Sequence, residues 1–196
     1  MKHNFNHKTQ SFDSAQNIFF ADFVYQEIKK HIHDLSNQSI MDFGGGTGLI
    51  ALSLAKNAKE IILVDISEKM LEKACQKITR QGINNIELIE QDLLEKPLKQ
   101  RFDIIIASRV LHHVKDLDHA ILTLKNHLAK NGQLFITNYT KEAGNHHGFN
   151  VKKLEEKLRK NSFSTIKSKG LYRAANLFQG HEAELFLIIA QKSFYS

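Results

Sequence analysis

Four of the ten glycines fall within five residues, in the run Asp42-Phe43-Gly44-Gly45-Gly46-Thr47-Gly48. Glycine in such a run lets the backbone take up positive φ and come into contact with a ligand. Two acids follow at the ends of apolar runs: Asp65 after Leu63-Val64, and Asp92 after Ile89-Glu90-Gln91. A carboxylate where Asp65 stands can accept both hydroxyls of a ribose. One where Asp92 stands can accept from an exocyclic amino group. A glycine loop followed by two acids in this order points to a ligand that carries a nucleoside. Two histidine pairs, His112-His113 and His146-His147, could move a proton near neutral pH. His112 and His113 are the catalytic candidates, although a structural place in the loop after a strand is the expected role. Adjacent histidines seldom ligate one ion, so no metal site is expected.

Short runs rich in Ile, Val, Leu and Phe supply the elements that would position these residues: Ile40 to Phe43, Ile61 to Val64, Ile86 to Ile89, Phe102 to Ala107 and Leu134 to Thr137. They are apolar at consecutive positions, as strands buried on both faces are. Helical stretches alternate with them at Leu49 to Asn57, Ser67 to Gln81 and Asp116 to Ala129. Ser67 reads as an N-cap, while Gly82 and Gly132 read as helix ends. Strand and helix in alternation imply right-handed crossovers and a doubly wound α/β sheet. A first helix is expected from Ser14 to His33, its Phe19, Phe20, Phe23 and Tyr25, with Phe12 before it, forming core or closing as a lid. After a helix at Val151 to Lys160, two strands at Phe163 to Ser168 and Glu184 to Gln191 have no helix between them. They are expected to pair antiparallel through a connection containing Gly170, Tyr172 and Gly180.

The chain has 196 residues, the length of one domain, here a helical segment at 1–36 followed by an α/β core at 37–196. Hydrophobic content of 42% and charged content of 24% are those of a globular protein. No run approaches the roughly 18 apolar residues of a membrane span, and the amino terminus lacks a signal-peptide core, so a soluble, cytoplasmic protein is expected. Cys75 is the single cysteine, which rules out an internal disulfide and reads as core filling. The net charge of +6 leaves a nucleic-acid partner open. The lysines between 152 and 160 alternate with Glu155 and Glu156, however, as on a solvated helix face.

From about Ile40 to Ile136 the chain resembles the class I S-adenosylmethionine-dependent methyltransferases, and within them the small-molecule type 11 group. The resemblance rests on the loop Asp42 to Gly48, on Asp65, on Asp92-Leu93, and on Phe102-Asp103-Ile104-Ile105-Ile106 leading into Leu111-His112-His113-Val114. A Leu128 to Leu134 segment carrying Gly132 ahead of the fifth strand also agrees. The resemblance implies a Rossmann-like sheet of seven strands, mostly parallel with an antiparallel last strand. It implies S-adenosylmethionine as cofactor, S-adenosylhomocysteine as product and a small-molecule methyl acceptor. By resemblance, Asp42 and the backbone of Gly44, Gly45 and Gly46 hold the methionine amino end. Asp65 takes the ribose and Ile66 packs on the adenine. Asp92 receives the adenine amino group, the Leu93 N–H meets a ring nitrogen, and Ser108 lines the methionine side.

Two other readings compete. Gly46-Thr47-Gly48-Leu49-Ile50-Ala51 satisfies a looser nicotinamide-cofactor fingerprint, with Asp65 at a tolerable distance. Asp42 before the loop and the lack of room for a substrate domain argue against an oxidoreductase. The same fold acting on RNA or protein is the second reading. For base methylation, Ala107-Ser108-Arg109-Val110 lacks the Asn/Asp-Pro-Pro expected of an amino-group methylase, and Pro97 is the only proline.

Overall fold

A computed structural model describes residues 12–141, 148–178 and 181–193. Seven strands make a mostly parallel sheet with an antiparallel last strand, flanked by helices. The chain divides into two compact units, Met1–Pro97 and Leu98–Ser196.

The first unit holds α1 (Ala15–His31), β1 (Ser39–Phe43), α2 (Leu49–Leu54), β2 (Glu60–Asp65), α3 (Glu68–Gln81) and β3 (Ile86–Glu90). Its strands lie in the order β3-β2-β1 and are parallel, pairing Asp42 with Leu63, Phe43 with Val64 and Asp65 with Glu90. Ile40, Met41 and Ile61 to Val64 are all buried, as consecutive apolar residues must be when both sheet faces are covered. Local signals set the helix ends. The Ser67 hydroxyl accepts from the Met70 N–H, and Gly82 closes α3 in the left-handed region at φ 64°. α2 stops at Leu54, short of the Asn57 expected, because the Asn85 amide takes the carbonyls of Ala55 and Ala58. Phe20, Ala21, Val24 and Ile28 of α1 are core, whereas Ile18 and Phe19 are about half exposed. Cys75 is exposed, contrary to the core role expected. The buried face of α3 is Met70, Leu71 and Ala74, and one residue further turns the side chain outward.

The second unit holds β4 (Phe102–Ser108), a 3₁₀ turn (Leu111–His113), α4 (Leu117–His127), β5 (Leu128–Tyr139), α5 (Val151–Lys160), β6 (Phe163–Phe178) and β7 (His181–Lys192). Their order is β4-β5-β7-β6, with β7 antiparallel to both neighbours. β5 begins at once after α4, so Gly132 lies inside a strand and not at a helix end. The register with β4 breaks between Phe102 and Ile104, and Asn131, at φ 62°, supplies the left-handed residue. A Cβ on Gly132 would press to 3.0–3.1 Å from the carbonyl oxygens of Phe102, Ala129 and Asp103, which is why that position carries no side chain. β6 is also longer than expected. Gly170 and Tyr172 belong to the strand and flank a register shift, rather than forming the connection, while Gly180 lies outside the described residues. Among the described residues, no helix is long and apolar enough to cross a membrane.

Candidate cofactor site

In the first unit β1 delivers Asp42 directly into the glycine loop. Gly44 and Gly45 both donate to the Val64 carbonyl, at 2.8 and 3.4 Å, so the loop is tied back across β2. Gly44, Gly46 and Gly48 have φ of 65°, 56° and 78°, a region that side chains disfavour. Gly45 is required for space instead. Its Cβ would lie 2.7 Å from the Asp42 carboxyl group and from Leu63 Cγ.

The two acids have different surroundings. Asp65, at the end of β2, accepts from the Gly46 N–H through Oδ2 and the Ser67 N–H through Oδ1, both at 2.9 Å. The carboxyl group keeps acceptor capacity for a hydroxyl. Burial holds the Asp65 carboxyl above the usual range, opposed by the N–H groups of Ser67, Gly46 and Ile66. Asp42 is 2% exposed, and its Oδ2 has no hydrogen-bond partner among the described residues. Burial, and then the charge of Asp65, push its carboxyl up to about 7, against a smaller opposing effect of the Ala51 N–H. A buried carboxylate oxygen of this kind calls for a donor. A ligand ammonium would supply one, and the glycine backbone beside it leaves room for the approach.

The end of β3 is fixed to the same region, because the Gln91 N–H donates to the Asp65 carbonyl at 3.0 Å. Asp92 accepts from the Leu94 N–H at 3.0 Å, closing a turn that the buried Leu93 side chain anchors. Ile66 is part-exposed beside Asp65. Asp42, Gly44, Gly45, Gly46, Asp65, Ile66, Asp92 and Leu93 thus gather at the strand ends of the first unit.

The remaining candidates belong to the second unit. Ser108 shares a 2.8 Å hydrogen bond with Thr137, and His112 Nδ1 lies 3.2 Å from Asn138 Nδ2. His113 is exposed, its ring centroid 3.8 Å from that of His112 and the two planes tilted by 45°. His146 and His147 lie outside the described residues.

A further group was not foreseen. Just before α1, Asp13 takes the Thr47 hydroxyl through Oδ1 and the Lys77 ammonium through Oδ2, at 2.5 and 3.0 Å. Thr47 is fully buried, and burial pulls the Lys77 ammonium down against the stabilising effect of Asp13. The Phe12 ring comes to 3.1 Å from where a Gly46 Cβ would stand. Of the aromatics expected to form core or lid, Phe12 lies against the glycine loop, while α1 serves the core through Phe20, with Val24 and Ile28.

Residues 34–187 match the family described as methyltransferase domain. The chain belongs to this family. The nicotinamide register of the loop is accordingly set aside. The methyltransferase chain is 27% identical over 147 residues to a ubiquinone biosynthesis O-methyltransferase of Rickettsia felis, covering 73% of this chain and 60% of that protein. It is 31% identical over 121 residues to an uncharacterized methyltransferase of Schizosaccharomyces pombe, covering 58% of this chain and 43% of that one. The chain thus spans about half the length of the curated relatives it matches. Its fold is similar to that of an S-adenosylmethionine-dependent methyltransferase from Aquifex aeolicus, with a TM-score of 0.79 at 16% identity, covering 96% of this chain and 98% of that one.

Proposed function

We propose that the chain is an S-adenosylmethionine-dependent methyltransferase acting on a small molecule in the cytoplasm, with residues 1–196 working as one domain. The observation that carries this reading is the buried Asp42 oxygen without a partner, set beside a glycine cradle and a strand-ending Asp65. Asp42 and the Gly44–Gly46 backbone hold the methionine ammonium. Asp65 accepts the ribose hydroxyls, with its backbone bonds keeping the carboxylate in place. Ile66 packs on the adenine, Asp92 and the Leu93 N–H read its edge, and Ser108 takes the methionine side by resemblance. When bound, S-adenosylmethionine would supply a sulfonium methyl for in-line attack by the acceptor, with the thioether of S-adenosylhomocysteine as leaving group. The protein's part is to hold the acceptor at near-attack distance and exclude water. An O-methyltransferase among the relatives supports a small-molecule acceptor.

Calorimetric titration of S-adenosylmethionine, S-adenosylhomocysteine and NADH tests the reading, with Asp65→Ala as control. Micromolar binding of the adenosyl pair, lost in the variant, is expected. Binding of NADH alone would overturn it.

A further inference from the structure

The Tyr139 N–H donates to Asn138 Oδ1 at 2.9 Å, and this contact decides the orientation of a side chain that is 1% exposed. With Oδ1 turned to that N–H, the amide presents Nδ2, a donor, to His112 Nδ1 at 3.2 Å. The flipped amide would face its NH₂ against the Tyr139 N–H. His112 Nδ1 must therefore accept, and the single ring proton of neutral His112 must sit on Nε2. The backbone fixes both partners. The Arg109 N–H is bound to the Thr137 carbonyl at 2.7 Å, and the His113 N–H to the Val110 carbonyl at 2.9 Å, so the turn that carries His112 is tied to the end of β5.

We propose that Asn138 is a positioning residue that holds His112 as its Nε2–H tautomer, which makes the ring a hydrogen-bond donor at Nε2 and not the proton acceptor of the reaction. A histidine base would need the opposite arrangement, with Nδ1–H given to an acceptor and the Nε2 lone pair presented. The bearing on the reaction rests on the methyltransferase reading; the tautomer itself does not.

The test is a long-range ¹H–¹⁵N correlation spectrum of the full chain labelled at histidine, recorded where the rings are neutral, with His112 identified by its absence in His112→Gln. The expected pattern is a pyridine-like Nδ1 and a pyrrole-like Nε2. Asn138→Asp, which presents only acceptors, is expected to reverse it. A pyrrole-like Nδ1 or an even mixture in the native chain would overturn the proposal, as would an unchanged pattern in Asn138→Asp. Should that variant fail to fold, the native spectrum decides alone. S-adenosylhomocysteine titrated into the same sample separates the two readings. Absent binding with the expected tautomer overturns the cofactor reading and leaves the role of Asn138 standing. Retained binding with the wrong tautomer overturns only the role given to Asn138.

Discussion

Replacing Asp42 by Asn should change the pH dependence of stability more than stability itself. In the folded chain Asp42 keeps its proton up to about pH 7, whereas an unfolded Asp releases it near 3.8. Between those values the folded state binds the extra proton, so stability is full below the lower value and falls as pH rises through the upper one. At ~1.4 kcal/mol for each tenfold change in proton affinity, the gap corresponds to ~4 kcal/mol in all, and more than half of it lies between pH 5 and pH 8. The neutral amide of Asp42→Asn has no such titration. Urea unfolding of both proteins at pH 5, 6, 7 and 8 should show the variant gaining on the native chain by roughly 2–3 kcal/mol across that range. A difference that stays constant within ~1 kcal/mol would refute the argument and imply that water reaches Asp42.

Gly45→Ala places a methyl group 2.7 Å from the Asp42 carboxyl and from Leu63; a loss of ~1–3 kcal/mol in urea unfolding is expected, together with loss of calorimetric S-adenosylhomocysteine binding. Gly82→Ala meets no atom within 4 Å, so its cost is the backbone alone at φ 64°, about 1–2 kcal/mol in thermal or urea unfolding, with cofactor affinity unchanged. Asp13→Ala leaves Lys77 without its carboxylate and frees Phe12 from the loop. Limited proteolysis between residues 12 and 15 should quicken at least severalfold, and S-adenosylhomocysteine should slow that cutting less than in the native chain.

Features set within one turn of chain were legible in the sequence. Ser67 and Gly82 bracket α3 as their residue types demand, and the apolar runs at Ile40 and Ile61 became buried parallel strands. The glycine loop and both acids were legible too, because loop, strand end and helix start are neighbours in sequence. What escaped depended on distant partners. α2 lost its last turn to Asn85, some thirty residues on. The start of β5 was hidden by the polar Lys130-Asn131-Gly132, whose conformation answers to the Phe102 and Asp103 carbonyls. Cys75 looked apolar enough for the core, but the phase of α3 puts it outside. Asp13 meets Thr47 and Lys77 across 34 and 64 positions, and no spacing announces such a contact.

The Asp13 contacts bear on how the protein should be handled at the bench. A shortened version cut at Ser14, where α1 has its cap, looks harmless by secondary structure. It would discard the carboxylate that serves Thr47 and Lys77 and the ring that shields Gly46. Such a fragment would keep the core packing of α1 and still lose the clamp on its glycine loop. Amino-terminal trimming of this protein should therefore stop before Phe12, and weak ligand binding by a sample cut further in would reflect the trimming.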